Sequence, residues 1–130
     1  MKTTTVNLLG WLYKIYHSQN SKTRYQECTL CCSGQSAIDE NGKPVGGSMS
    51  EQLKLSLENL RALIKKEGYQ PANIVKLNFY TTSIPSFFEA YSEAFRWLQK
   101  YDCAPTSTLI QVESLAFPEL DIEVEATLVN

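Results

Sequence analysis

The chain has 130 residues, of which 43% are hydrophobic and 20% are charged. This length supports one hydrophobic core but not two, and the composition excludes a disordered, collagen-like or coiled-coil chain. The formal net charge of -2 provides no basic field for a phosphate backbone, so we expect no nucleic-acid partner.

Membrane and metal partners are not expected either. The longest apolar runs fall short of the ~18 residues that a membrane-spanning helix needs, and the N-terminal residues lack the pattern of a signal peptide, which predicts a cytoplasmic location. Four cysteines lie at positions 28, 31, 32 and 103. Cys28 and Cys31 would point to opposite faces of a strand, so we predict buried, reduced thiols and no metal site.

The first third of the chain is predicted to form strands joined by polar segments. Residues 3–9 and 11–16 are rich in β-branched and aromatic side chains, which predicts a strand pair or one bent strand. Residues 18–24 are polar and predict a loop, and residues 25–32 predict the next strand. Asn41-Gly42 then indicates a tight turn.

Two amphipathic helices follow. The first is predicted over residues 49–67, because Ser48 and Glu51 form a capping box and Gly68 follows as a stop. Its apolar stripe comprises Met49, Leu53, Leu57, Leu60 and Ile64. The second is predicted over residues 85–101 with the stripe Phe87, Tyr91, Ala94 and Leu98, widened by Phe88, Phe95 and Trp97.

Strands are predicted over residues 74–82, 106–114 and 120–128. The last alternates between apolar and polar residues, with Glu123 and Glu125 on its polar face. Both helices can pack on one face of a mixed sheet, which predicts a two-layer α+β fold in a single domain over residues 1–130. The other sheet face would be bare, and it is either solvated or an oligomer interface with a small polar pocket. The strand over 106–114 leaves two alternatives for the residues sharing that face: Thr108, Ile110 and Val112, or Ser107, Leu109 and Gln111.

Several segments together resemble the RidA family, also called YjgF. They are Ser33-Gly34-Gln35, residues 50–68, 74–76, 105–115 and 122–126. The resemblance covers residues 30–128 best, and residues 1–25 diverge from it. It implies a chorismate-mutase-like fold and a homotrimer whose sheets form a central barrel, with a ligand cleft between each pair of subunits. It also implies hydrolysis of enamines and imines to 2-keto acids and ammonia without a cofactor.

The resemblance also implies the site residues. Glu123 matches the family's glutamate, which orients the hydrolytic water, while Ser33, Gly34 and Tyr91 are implied to bind substrate. The family's arginine, which holds the substrate carboxylate, falls on Ser107 here, and a hydroxyl offers no charge and no two-point contact. The family's cysteine two residues later is replaced by Leu109, which we also count among the substrate-binding residues.

Three residues of the N-terminal part remain as alternatives for the site. Lys22 or Arg24 would supply a positive charge in place of the missing arginine. His17 is a further candidate because an unperturbed histidine changes charge near neutral pH, but a lone histidine is more often structural or exposed than catalytic.

Two functions follow from these residues. The first is a cofactor-independent hydrolase of enamines or imines in which Glu123 activates water. The second is a trimer that binds a small metabolite or a partner protein without turnover, which the replacement by Ser107 favours for standard substrates. Ribonuclease activity, claimed for some relatives, is not favoured, because the sequence shows no basic patch, aromatic stacking surface or paired histidine.

Overall fold

The N-terminal strands lie at one end of the strand order of the sheet. The computed structural model describes residues 2–6, 20–24 and 28–130, with side chains from residue 29 onward. Strands β1 (Lys2–Val6), β2 (Asn20–Arg24) and β3 (Cys28–Ser36) pair antiparallel in that order. The predicted loop over 18–24 is therefore wrong from residue 20, because a polar strand between two neighbours is stabilised through its ladder hydrogen bonds. The predicted strand over 11–16 and His17 lie outside the described residues.

The first helix, α1 (Met49–Lys66), lies where the sequence predicts it. Ser48 Oγ accepts a hydrogen bond from Glu51 N at 3.2 Å, and Glu51 Oε2 accepts one from Ser48 N at 3.0 Å, which completes the capping box. Gly68 follows with a φ of 79°, a left-handed conformation that glycine adopts without steric strain. The predicted stripe is buried, apart from the partly buried Met49.

The second helix, α2 (Ile84–Lys100), buries a different line of residues from the predicted one. Its buried residues are Phe87, Ala90, Ala94 and Trp97. The predicted stripe is wrong at Tyr91, Phe88 and Phe95, whose exposed fractions are 43%, 62% and 49%. The small residues Ala90 and Ala94 let α2 approach α1 closely, and the rings of Tyr91 and Phe95 stack outside the core.

The described strands form one mixed sheet in the order β1-β2-β3-β6-β4-β5. Strand β4 (Ile74–Thr81) is antiparallel to β6 (Ile122–Val129) and parallel to β5 (Thr106–Gln111), which is an edge strand. Helix α1 packs over β3 and β6, and α2 packs toward β5. Both helices cover the same face, so the predicted two-layer α+β fold is confirmed.

The two faces of the sheet differ in polarity. The register places Ser107 beside Leu77, on the face that the helices cover, and Leu109 packs against the same core. The apolar residues of β6 are buried there too, as the alternation predicts: Ile122, Val124, Ala126 and Leu128. The structure thus decides between the alternatives for β5, since the bare face carries Thr108, Ile110 and Val112 together with Glu123 and Glu125.

A smaller apolar cluster lies beside the main core. Ala37, Ile38 and Leu120 are buried there, with Leu115 and Phe117 packed against them. This cluster holds the connection between β5 and β6 against the start of α1, where Leu55 also contacts it. Neither of the two described helices combines the length and apolar character that crossing a bilayer demands.

Three cysteines are described with their side chains, and all three are free thiols. Cys32 and Cys103 are buried, and burial raises the pKa of Cys32 to about 12 and that of Cys103 to about 11. Cys31 is exposed, so the prediction of buried thiols is wrong at that position. The reason is its register opposite Thr127, on the bare face of the sheet.

Candidate active site

The candidate site begins at a β-bulge in β3. The register with β6 shifts between Cys32 and Gln35, so Ser33 and Gly34 form the bulge. Gln35 is buried, and its Nε2 donates hydrogen bonds to the carbonyl oxygens of Ser33 at 3.1 Å and Gly34 at 3.3 Å. The predicted strand end at Cys32 is wrong, because β3 continues beyond the bulge.

Gly34 and Glu123 lie in close contact. A Cβ atom placed on Gly34 would overlap Cγ, Cδ and Oε1 of the Glu123 side chain. Only glycine leaves room for the carboxylate in this position. The bulge and Glu123 therefore form one unit, in which backbone and carboxylate lie side by side.

An open cleft of about 250 Å³ surrounds this unit on the bare face of the sheet. Its lining combines two carboxylates, a phenol, a serine and small or aliphatic residues: Gly34, Tyr80, Val112, Ser114, Leu115, Glu123 and Glu125. Of the predicted site residues, the structure brings Gly34 and Glu123 together here. The cleft has the mixed polar and apolar lining that is typical of small-molecule sites.

A hydrogen-bonded group lies beside Glu123. The Tyr80 hydroxyl donates to Glu125 Oε1, and Asn78 Nδ2 donates to the same oxygen at 3.2 Å. The hydrogen bond to Glu125 raises the pKa of Tyr80, with burial as a second cause. Tyr80 pairs with Glu123 across the strands, so this group holds Glu125 in place next to the cleft.

A buried glutamine anchors the start of β6. Gln52 of α1 is 1% exposed. Its Oε1 accepts a hydrogen bond from Asp121 N at 2.8 Å, and its Nε2 donates to Asp121 Oδ2 at 3.2 Å. The same Nε2 lies 3.1 Å from the carbonyl oxygens of both Gly47 and Glu119. These contacts fix the backbone two residues before Glu123.

The other predicted site residues lie away from this cleft. Ser107 and Leu109 are on the helix-covered side of β5, whereas Glu123 is on the bare side. Tyr91 lines a separate hollow of about 490 Å³ between α2 and the start of β5. A single chain therefore does not bring Ser107, Leu109 or Tyr91 together with Glu123.

Lys22 and Arg24, the candidates for a positive charge in place of the missing arginine, lie on β2. Lys22 pairs with Leu30 and Arg24 with Cys28, in the first half of β3. Gly34 lies four residues beyond Leu30, which is roughly 13 Å along a strand. Within one chain, the register therefore places the backbone positions of Lys22 and Arg24, though not their side chains, away from the bulge.

Tyr80 and Asn78 are the polar residues that the sequence reasoning missed. The signal was available, because a strand with Leu77 and Phe79 in the core must direct Asn78 and Tyr80 to the other face. What the sequence does not show is that β4 and β6 are neighbours, with Tyr80 opposite Glu123.

The reactive groups that line this cleft include two carboxylates and a phenol. Glu123 is half-buried beside an open cavity, a position in which a carboxylate can take a proton from water. Within the described residues, no group of three or more His, Cys, Asp or Glu side chains is arranged to hold a metal ion.

Comparison with known proteins identifies the family. A family model described as Endoribonuclease L-PSP matches residues 17–130. The chain belongs to this family, the RidA/YjgF proteins. A RutC family protein of Pyrococcus abyssi is 32% identical over 97 residues, which cover 67% of this chain and 76% of the relative. The resemblance seen in the sequence is thus confirmed.

A further relative supports the same assignment, and two solved structures share the fold. TdcF of Escherichia coli, whose name is that of a reactive intermediate deaminase, is 28% identical over 101 residues, covering 75% of this chain and 76% of TdcF. The crystal structure of TdcF with bound serine has a TM-score of 0.79 and covers 97% of this chain and 93% of that chain, at 20% identity. Yeast Mmf1 has a TM-score of 0.84 at 24% identity, covering 99% of both chains. These structures confirm the chorismate-mutase-like fold.

Proposed function

We propose that this RidA/YjgF protein is a cofactor-independent hydrolase of enamines or imines, which releases a carbonyl compound and ammonia. An enamine first tautomerises to the imine. Glu123 takes a proton from water as the water oxygen bonds to the carbon of the C=N bond, whose π electrons move to nitrogen. The resulting carbinolamine forms a C=O bond as its C–N bond breaks, and the proton held by Glu123 leaves with nitrogen as ammonia. The Ser33-Gly34 bulge supplies backbone groups beside the carboxylate. The name of TdcF and the family match support the reaction class.

The observation that carries this proposal is the contact between Glu123 and Gly34. It places a carboxylate at the wall of a cleft of about 250 Å³ that is large enough for a small molecule. A carboxylate held in this way is a suitable general base for water.

The proposal includes a homotrimer in the cytoplasm, with the cleft completed by a neighbouring subunit. The placement of Ser107 supports this arrangement, because it faces away from Glu123 of its own chain. A subunit that packs its β5 edge against the bare face of the next would bring its Ser107, Leu109 and Tyr91 toward that neighbour's Glu123. The bare face and the exposed edge strand are the surfaces that such an assembly needs.

The second candidate function is ligand binding without turnover. Ser107 favours it, because a neutral hydroxyl binds a substrate carboxylate less strongly than an arginine would. In that case, a ligand would raise the free energy of unfolding with the logarithm of its concentration above Kd, and the ligand itself would remain unchanged.

The experiment uses 2-aminoacrylate, formed in situ from serine by a pyridoxal-phosphate dehydratase. We expect slow release of pyruvate and ammonia with the unmodified protein and a gain of about tenfold or more with Ser107→Arg, which restores a charged, two-point contact. Adding Glu123→Gln to Ser107→Arg is expected to lower the rate by about 100-fold or more, because the base is lost.

Glu89→Gln in the Ser107→Arg background is the matched control, since Glu89 is exposed on α2. It is expected to leave the rate unchanged. If Glu123→Gln and Glu89→Gln have the same effect, Glu123 is not the base and the hydrolytic function is wrong.

A further inference from the structure

The cleft holds a hydroxyl–carboxylate pair that the hydrolytic step does not use. The Tyr80 hydroxyl donates a hydrogen bond to Glu125 Oε1, and both side chains line the cleft of about 250 Å³ that contains Glu123. Activation of water needs one base, and Glu123 has that role in the proposed function. Tyr80 and Glu125 can therefore serve a second proton transfer.

This pair lies within reach of a molecule that contacts Glu123. Tyr80 on β4 is directly opposite Glu123 on β6, and Glu125 is two residues further along β6 on the same face. Directly opposite residues have Cβ atoms about 5 Å apart, and residues i and i+2 of a strand are about 7 Å apart. A small substrate can therefore contact all three side chains.

Tyr80 keeps its proton at neutral pH. The hydrogen bond to Glu125 is the main cause that raises the pKa of Tyr80, burial is the second, and the charges of Glu125 and Glu123 add to the effect. A phenol with a raised pKa carries a hydroxyl proton throughout the neutral range. Tyr80 is thus placed in the cleft as a proton donor.

Asn78 completes the group around this pair. Its Nδ2 donates to Glu125 Oε1 at 3.2 Å. The hydrogen bond to Glu125 has the largest effect on the pKa of Tyr80, and a hydrogen bond with Asn78 partly offsets it by lowering that pKa. A contact of this kind stabilises the phenolate oxygen while its proton is away. Asn78 therefore supports both members of the pair during a proton transfer.

An enamine requires an acid and a base at the same time. It becomes an imine when its β-carbon gains a proton and its nitrogen loses one, and a single carbon atom separates the two positions. An acid and a base in direct hydrogen-bond contact can serve both positions of one bound molecule. Tyr80 and Glu125 have this arrangement.

We propose that Tyr80 and Glu125 catalyse the tautomerisation of an enamine to its imine, a second activity of the cleft that precedes hydrolysis at Glu123. This inference rests on the proposed function and adds a step at the same site. The Tyr80 O–H bond breaks as a C–H bond forms at the β-carbon, while Glu125 removes a proton from nitrogen and the π electrons shift from C=C to C=N. The proton on Glu125 then passes to the Tyr80 oxygen along their hydrogen bond, so no further reactant is consumed.

The configuration of the product tests this step. A pyridoxal-phosphate dehydratase forms 2-aminocrotonate from threonine in deuterium oxide, and lactate dehydrogenase with NADH reduces the released 2-oxobutyrate at once. Proton NMR then distinguishes the two configurations at the deuterated carbon. The unmodified protein and Ser107→Arg are both assayed, because this enamine carries a carboxylate. We expect about fivefold excess or more of one configuration, since Tyr80 serves one face of the enamine, and equal amounts without the protein.

Tyr80→Phe removes the hydroxyl and keeps the ring. In the Ser107→Arg background, it is expected to bring the two configurations within about twofold of each other, and Glu125→Gln is expected to do the same. Tyr101→Phe is the matched control, because Tyr101 lies at the C-terminal end of α2 and packs against Trp97. It should keep the excess.

A second route to the imine bypasses the enamine. An amino acid oxidase forms the imine directly from 2-aminobutyrate, and semicarbazide captures whatever is not hydrolysed. Tyr80→Phe should slow the release of 2-oxobutyrate from the enamine about tenfold more than its release from the imine. If both routes slow equally, Tyr80 only supports the site, so the tautomerisation is wrong and the hydrolytic function stands.

Two further outcomes separate this inference from the proposed function. A product of random configuration from both the unmodified protein and Ser107→Arg would overturn the tautomerisation. If the excess appears and depends on Tyr80, but Glu123→Gln leaves hydrolysis of the imine unchanged, the tautomerisation stands and the hydrolytic function is wrong.

Discussion

At the scale of single residues, the site depends on one close approach. Glu123 reaches its position because residue 34 has no side chain. Gly34 is not among the glycines with a left-handed φ, so its role is to leave space rather than to permit a special backbone conformation. The atoms that a Cβ would meet belong to the flexible end of Glu123, which can move away.

This geometry predicts that Gly34→Ala damages function more than stability. The displaced carboxylate should lower imine hydrolysis at least tenfold, whereas the free energy of unfolding should change by less than about 1 kcal/mol, since no core contact is lost. Urea unfolding and the imine assay measure the two effects. Gly46→Ala is the control, because a Cβ there meets no atom within 4 Å. Equal activity of the two variants would contradict the role given to Gly34.

At the scale of elements, α1 holds the site through Gln52. The side chain is buried and contacts backbone groups of the segment before β6, so the helix fixes where that strand begins. Thr82 Oγ1 donates to Asp121 Oδ1 at 2.8 Å, which ties the end of β4 to the same point. The cleft therefore depends on hydrogen bonds made on the other side of the sheet.

We predict that Gln52→Leu destabilises the protein by about 3 kcal/mol. The change keeps a side chain of similar size but leaves Asp121 N and the carbonyls of Gly47 and Glu119 without partners, at about 1 kcal/mol each. Urea denaturation measures this loss in the free energy of unfolding. Gln99→Leu is the control, because Gln99 is exposed on α2 and its replacement should change stability by less than about 0.5 kcal/mol. A similar loss in both variants would show that Gln52 does not anchor β6.

The elements also show what a sequence can predict. Periodicity and capping predict α1 and β6 well, because each has a single apolar line that coincides with its buried face. The same reasoning is wrong for α2, where aromatic residues occupy two adjacent lines and packing against α1 selects the one with alanines. It also misses β2, whose polar residues give no strand pattern.

The candidate site, like the elements, is only partly predictable from the sequence. The alternation of β6 identifies Glu123 and Glu125, and the resemblance identifies Gly34. The bulge and the pairing of Tyr80 with Glu123 depend on contacts between strands that are distant in sequence, so no local pattern reveals them.

At the scale of the whole molecule, the exposed surfaces support the proposed trimer. Strand β5 is exposed at all but one position and lies at an edge of the sheet, with Ile110 on the bare face. Phe88, Tyr91 and Phe95 add an exposed aromatic surface on the neighbouring helix. An open edge and an uncovered sheet face are surfaces that proteins usually cover.

We predict that light scattering gives about three times the chain mass of 14.7 kDa. Ile110→Lys, which buries a charge if the bare face is an interface, should yield monomers with an unchanged circular dichroism spectrum and little hydrolysis. Ala62→Lys on the exposed side of α1 is the control and should remain a trimer. A monomer in the unmodified protein would contradict both the trimer and a cleft shared between subunits.

The bulge in β3 also constrains how the chain can change in length. Before it, Leu30 and Cys32 lie opposite the buried Leu128 and Ala126; after it, Gln35 lies opposite the buried Val124. All three therefore face the helices, although β3 has one residue more than β6 between them. Deleting one residue at 33 or 34 would remove the bulge and leave a regular alternation that keeps Leu30, Cys32 and Gln35 on the helix-covered face. At this point of the strand, a one-residue deletion is therefore expected to leave the core in place and to remove the backbone that lies beside Glu123, so the chain would fold without its candidate site.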